Sequence, residues 1–167
     1  PDLPAVERLE DGVDVLARGG AEDVLLIGIG PMAHIAMDVA ARLRDQGIGA
    51  TVIDPRWVIP VQPSVIDLAA AHRLVITIED GIRVGGIGTR VRQVLREAGV
   101  DTAVDELGLP DEFIAHASRE QILEDAGLVA SKIAQDVVAQ VLGTRIPIAR
   151  RAENGADLIA EFAERRD

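Results

Sequence analysis

Three short stretches of this 167-residue chain hold residues whose types and spacing could do chemistry. The first is Gly28-Ile-Gly30-Pro-Met-Ala33, a Gly-x-Gly-x-x-Gly/Ala pattern with Asp54 at the end of the next apolar run. Such glycines let a pyrophosphate approach a helix N-terminus, while the acid takes a ribose hydroxyl of a dinucleotide. Pro31 opposes that reading because it removes a backbone N–H from the cradle. A tight strand-to-helix turn accounts for the same residues. The second stretch is Gly85-Gly86-Ile-Gly88-Thr89, whose bare amides could bind a phosphate or carboxylate. It lacks the Lys-Ser/Thr of a P-loop, and close packing of a helix on a strand or another subunit demands glycine there equally. The third is Glu79-Asp80, two acids with the makings of a general base or metal ligand. Adjacent strand residues point to opposite faces, so the two do not act as a pair, and a solvated or interface carboxylate is expected.

The remaining reactive residues form no constellation. His34, His72 and His116 share no metal-ligand spacing and read as surface or helix-end histidines. Ser64, Ser118 and Ser131 read as helix starts or helix faces, and no Gly-x-Ser-x-Gly elbow is present. No catalytic residue and no metal site is therefore assigned. Composition narrows the classes further. A formal net charge of −11, no Tyr, one Trp and two Phe argue against nucleic-acid binding, which needs a basic face and stacking platforms. No apolar run reaches membrane-spanning length. The absence of cysteine removes disulfides and thiolate chemistry.

The elements that must position these residues alternate. Val24–Ile29, Ala50–Ile53, Leu74–Ile78 and Thr102–Leu107 are short apolar runs of buried-strand type. Between them lie helical patterns: about Met32–Gln46 burying Ile35, Val39 and Leu43 and stopped by Gly47, one after Pro63-Ser64 burying Val65, Leu68 and Ala69, and one through Glu97. Ser118-Arg-Glu-Gln121 reads as a capping box. A last helix over about Ser131–Leu142 shows Ile133, Val137 and Val141 four apart. This alternation predicts a three-layer α/β/α fold with a mostly parallel sheet of about five strands. The fifth is an edge strand at Val13–Ala17, its direction, parallel or antiparallel, left open by the pattern. Residues 1–20 are expected as a linker and edge strand, 21–143 as the domain, and 144–167 as an extended tail with a short charged helix.

Three motifs, in order and spacing, carry a resemblance. Asp54-Pro-Arg56-Trp57-Val-Ile-Pro60 is similar to Asp-x-Arg-Trp/Phe-Val-x-Pro, and Glu79-Asp80 through Gly85-Gly86-Ile-Gly88 to Glu-(Glu/Asp)-x4-Gly-Gly-x-Gly. Gly108-Leu-Pro-Asp-Glu-Phe113 is similar to Gly-Leu-Pro-(Asp/Gln)-x-Phe. Together, over about Val24–Leu142, they resemble the C-terminal, transketolase-like domain of the 1-deoxy-D-xylulose-5-phosphate synthases. The resemblance implies a cytoplasmic, homodimeric transferase that condenses pyruvate with glyceraldehyde 3-phosphate on the way to isoprenoids and thiamine. Its thiamine diphosphate and magnesium would be bound by upstream domains, since the Gly-Asp-Gly…Asn anchor is absent here. This chain would then be inactive alone, a piece beginning at Pro1 of a longer polypeptide. Glu79, Gly85, Gly86, Gly88, Arg56 and Trp57 would serve packing against the upstream domains or the second subunit. Two other readings stand beside it: the C-terminal domain of a 2-oxo-acid dehydrogenase β subunit binding its acyltransferase partner, and a free-standing nucleotide-binding protein resting on Gly28, Gly30, Ala33 and Asp54. On the packing reading, Gly86→Leu should impair assembly and leave the domain folded.

Overall fold

Strands that read as unbroken apolar runs must be covered on both faces, and the computed structural model covers them so. It describes residues 3–114 and 116–143; the expected tail over 144–167 lies outside the described residues. In chain order the elements are β1 (Glu7–Arg8), β2 (Asp14–Gly19), β3 (Val24–Gly28), α1 (Met32–Asp45), β4 (Ala50–Asp54) and α2 (Pro63–Ala71). There follow β5 (Leu74–Ile82), α3 (Ile87–Glu97), β6 (Ala103–Leu109), α4 (Arg119–Asp125) and α5 (Ala130–Val141). The sheet order is β1-β2-β4-β3-β5-β6. β4, β3, β5 and β6 run parallel, and β2 adds antiparallel to β4. The architecture is the expected three-layer α/β/α with an antiparallel flank.

Strand periodicity divides the core in two. Val24, Leu26, Val52, Ile76 and Ile78 face one way, onto Met32, Val39, Leu43, Leu123, Ile133 and Val137 of α1, α4 and α5. Leu25, Ile27, Ile53 and Val75 face the other way, onto Val65, Ala69, Val91 and Leu95 of α2 and α3. Each fully buried aliphatic side chain contributes roughly 1.5–3 kcal/mol by leaving water. Ile35, Leu68 and Val141, expected at buried positions, are half-buried and pack against these clusters. Helix α1 stops at Gly47 (φ 74°), whose N–H donates to the Arg44 carbonyl while Ile48 N–H donates to Leu43. That paired closure satisfies the terminal carbonyls and needs a left-handed residue. Ser118 caps α4, its Oγ accepting from Gln121 N–H at 3.2 Å, but Gln121 turns its side chain to Asp125 instead of closing the reciprocal half of the box.

Three expectations are corrected. The sheet has six strands, because Asp11-Gly12 folds Glu7–Arg8 back as a hairpin and β2 is not the edge. An Asp-Gly pair is itself a hairpin signal. His72 is a buried core histidine rather than a surface one. Its Nδ1 lies 2.7 Å from the Leu68 carbonyl and its Nε2 2.9 Å from Thr51 Oγ1. A carbonyl only accepts, so Nδ1 carries the proton and Nε2 accepts from the threonine. Finally, β5 runs four residues past Ile78, through both acids.

The flank is tied on by carboxylates. Asp14, buried in β2, accepts from Arg8 Nε at 2.6 Å and Nη2 at 3.0 Å, and from Arg56 Nη1 at 3.2 Å. The Arg8 hydrogen bonds, against burial and helped by Arg56, hold the Asp14 carboxyl below its ordinary value of 3.8. Asp11 accepts the Ser64 N–H at 2.8 Å, capping α2 from the hairpin. Burial pushes Asp11 up, yet the Ser64 hydrogen bonds and local amides outweigh it and leave its carboxyl below the ordinary value. Groups with lowered folded values stabilise fully above the ordinary carboxylate pKa and lose that stabilisation as pH falls through the folded one. Asp14→Asn should therefore cost roughly 1 kcal/mol at neutral pH, discounted for two half-exposed arginines. It should also flatten the loss of stability below pH ~4, read by urea denaturation across the acid range; an acid limb of unchanged steepness would contradict this assignment.

Candidate functional site

The three sequence motifs meet at one place, the carboxyl edge of the parallel strands. The cause is a bulge in β5. Ile78 pairs with Leu107 and Ile82 with Leu109, so β5 spends two more residues than β6 over the same span. Bulges bend a strand and re-aim its side chains. Here Glu79 turns to the α3 face and Asp80 to the α4 face. Asp80 Oδ2 accepts from Arg119 Nε at 2.8 Å and Nη2 at 2.6 Å, and Arg119 Nη2 also reaches Met32 Sδ at 3.8 Å. The two acids thus point apart, as strand geometry requires.

Glu79 is not the solvated carboxylate that sequence alone suggests. It is buried, with Oε2 accepting from Ile87 N–H and Oε1 from Gly88 N–H, both at 3.0 Å. Those amides begin α3, whose N-cap residue is Gly86 and therefore offers no capping side chain. A carboxylate there satisfies orphan donors and faces the positive end of the helix dipole. A methyl group on Gly86 would overlap both Glu79 oxygens and the Ile82 carbonyl, and one on Gly88 would overlap Thr77 Oγ1. Gly85 (φ 74°) makes the turn itself. Across the same helix end, Glu106 of β6 accepts from Thr89 Oγ1 at 2.9 Å and from Arg92 Nε at 2.8 Å. Glu106, Arg92 and Arg119 lie outside the motif positions, and only the fold reveals them.

Gly108 explains the third motif. A methyl there would press on the Gly81 carbonyl and the Arg83 backbone, where β6 crosses the bulged end of β5 and Arg83 N–H donates to Leu109 O at 2.9 Å. The first motif forms the β4–α2 loop. Asp54 Oδ1 accepts from Arg56 N–H at 2.9 Å, Arg56 stands at φ 55°, and its guanidinium reaches Asp14. A non-glycine residue held there costs conformational energy, repaid by these two anchors. Trp57 is 71% exposed. It shares a small recess with Ile29, Val65, Ile87 and Val91, so this loop abuts α3.

The dinucleotide turn has the expected shape but little donor capacity. Gly28 allows Ala33 of α1 to pack directly against β3, and Gly30 takes φ 58°. Met32 N–H donates to Ile29 O and Ala33 N–H to Gly30 O, while Pro31 has no N–H. Asp54 is engaged by Arg56. The starts of α1 and α3 therefore do not fit a diphosphate: one spends its amides on its own turn, and the other on Glu79. Among the described residues no three His, Asp or Glu side chains gather as metal ligands, and His34 and His116 are exposed and far apart in sequence. No described helix is long and apolar enough to cross a membrane.

Comparison with known proteins agrees with this geometry. The family model of the transketolase C-terminal domain matches residues 13–133. The chain is 69% identical over 149 residues to a 1-deoxy-D-xylulose-5-phosphate synthase of Leifsonia xyli subsp. xyli, covering 89% of this chain and 23% of that protein. It is 60% identical over 163 residues to the synthase of that name from Clavibacter sepedonicus, covering 98% and 25%. The chain thus spans about a quarter of the length of the curated relatives it matches. Among solved structures, a split-gene transketolase described as an inactive β4 tetramer superposes with a TM-score of 0.73 at 27% identity, covering 87% of this chain and 48% of that one. A Campylobacter jejuni transketolase superposes at 0.55 with 14% identity, a likeness of fold.

The site's geometry makes the expectation for Gly86→Leu untenable, because any side chain there collides with Glu79 inside the domain. Glu79→Ala should cost roughly 1–3 kcal/mol by orphaning two amides, and Gly86→Ala a similar amount by overpacking. Glu79→Gln, which retains an acceptor, should lose less. Chemical denaturation of the three variants checks this; changes within about 0.5 kcal/mol for both alanine variants would refute the clasp.

Proposed function

The chain belongs to the transketolase C-terminal domain family, and we propose that it is the C-terminal domain of a 1-deoxy-D-xylulose-5-phosphate synthase. The observation that carries this is the 69% identity to a synthase of which the chain spans only 23%. The whole polypeptide would join the two-carbon unit left when pyruvate loses carbon dioxide to glyceraldehyde 3-phosphate, giving 1-deoxy-D-xylulose 5-phosphate. Thiamine diphosphate with magnesium supplies the carbanion chemistry when bound, held by parts of the polypeptide outside this chain. The product would feed isoprenoid and thiamine synthesis in the cytoplasm.

The contribution of this domain is assembly rather than catalysis. Its two helix starts at the ligand edge spend their amides internally, and the side chains there clamp backbone instead of presenting a nucleophile or base. The Glu79–α3 clasp, the Arg56 loop and Gly108 hold that edge in one shape, and a homodimer is the expected state of the whole enzyme. The names of the relatives favour this reading over an acyltransferase-binding dehydrogenase domain and over a free-standing nucleotide-binding protein.

Expression of the intact polypeptide and of this chain alone tests the assignment. With pyruvate, glyceraldehyde 3-phosphate, thiamine diphosphate and magnesium, the intact protein should form 1-deoxy-D-xylulose 5-phosphate and the chain alone none. Calorimetric titration of the chain with NAD should be silent. An intact polypeptide without synthase activity, or a one-to-one NAD isotherm, would overturn the proposal.

A further inference from the structure

Away from the motifs, the outer face of α1 and α5 carries a groove with an apolar floor. The two helices pack side by side on one face of the sheet. The open groove between them measures about 250 Å³ and has Ala134 and Val138 of α5 along its base. Ser131 and Gln135 flank it on α5, Arg42 and Gln46 on α1. Residues four apart share one side of a helix. The stripe on α5 therefore runs from buried Ala134 through half-buried Val138 to Leu142, which is 67% exposed. It leads from the groove to Gly143, where the described residues end.

The groove is remote from the three motifs. Helix α1 leaves the end of β3 and delivers the chain to the start of β4, so Arg42 and Gln46 lie toward the opposite edge of the sheet. Arg42 is exposed, and among the described residues it forms no ion pair. The sequence beyond Gly143 holds what this surface lacks. Leu158, Ile159 and Phe162 are the large apolar residues of 155–167, and their spacing puts them on one side of a helix. Asp157 and Glu161, four apart, border that side. The connecting residues 144–154, fully extended, reach roughly 36 Å. The face of α5 from Ser131 to Leu142 is only about 17 Å long.

We propose that residues 155–167 fold back as a helix into the groove between α1 and α5. Phe162 then sits over Ala134 and Val138, Leu158 and Ile159 continue the apolar contact, and Asp157 and Glu161 face Arg42. A segment tethered through so short a connection meets the groove at high effective concentration, ahead of a second copy. The fold-back goes beyond the synthase reading and stands without it.

Hydrogen exchange on the full chain, with a synthetic peptide of residues 153–167 as reference, reads the docking directly. Amides within 157–163 should exchange at least about 10-fold more slowly in the chain than in the peptide. That protection should be unchanged on dilution. Arg42→Glu combined with Leu142→Ser, both at exposed positions, should bring these amides to within about three-fold of the peptide, while β3 and β5 keep their protection. Should β3 and β5 loosen, Gln135→Arg, exposed on the same groove, is scored in its place. Phe162→Ser should release the segment in the same way, and Trp57→Ser, at the opposite edge, should leave it protected. Amides as fast in the chain as in the peptide would overturn the proposal. Protection that survives the groove variants would place the segment on another surface and overturn it equally. Protection lost on dilution would assign the groove to a neighbouring copy and overturn the fold-back.

Discussion

One interaction sets the arrangement of the ligand edge: the Glu79 carboxylate accepting the first two amides of α3. Helix starts need acceptors, and they usually find them on the N-cap side chain. Here that residue is Gly86, because the helix must approach β5 more closely than a Cβ would allow. The acceptor therefore comes from eight residues upstream, across the turn, and the approach and the cap become a single requirement. Gly86, Gly88 and Thr77 are the room the carboxylate and helix need. The bulge in β5 is what aims the carboxylate there, and Gly108 is what lets β6 pass the bulge. Two motifs that look independent along the chain, Glu79–Gly88 and the one opened by Gly108, are one mechanical unit in space.

Carboxylates recur in this role. Asp11 caps α2 from the hairpin, Asp23 accepts the Gly49 N–H, and Asp14 gathers Arg8 and Arg56. An acidic composition that reads as a solvated surface is in part internal wiring, with backbone amides and arginines as partners. Individually such contacts contribute about 1 kcal/mol each. Their placement explains more than their sum, because Asp11 and Asp14 tie loops of the carboxyl edge, and Asp23 one of the opposite edge, to elements that the core already fixes.

The layers were legible in the sequence because they depend on short-range pattern. Val24–Gly28 and Leu74–Ile78 read as strands buried on both faces, and the helical periodicity named Val39 and Leu43 of α1 and Ile133 and Val137 of α5 among the residues those helices bury. The motif spacing of Asp54–Pro60, Glu79–Gly88 and Gly108–Phe113 likewise pointed to the right family. What stayed hidden depends on partners distant in sequence. Nothing local marks Glu79 as a cap, His72 as a bridge to Thr51, or Arg119 as the mate of Asp80. The two-residue strand β1 was too short for periodicity, although Asp11-Gly12 announced its turn.

The bulge in β5 has a consequence for how this segment can vary. Thr77, Glu79 and α3 occupy one side of the sheet, while Ile78, Asp80 and Arg119 occupy the other. A strand displaced by one residue exchanges its two faces. Such a slip would set Asp80, shorter by a methylene, beneath the amides of α3 and thrust Glu79 toward Arg119, with Ile76 and Thr77 changing sides as well. The ordered pair of unequal acids thus acts as a length gauge. Between Ile78 and Gly86 the chain can therefore not gain or lose a residue without handing the amides of α3 the wrong acid.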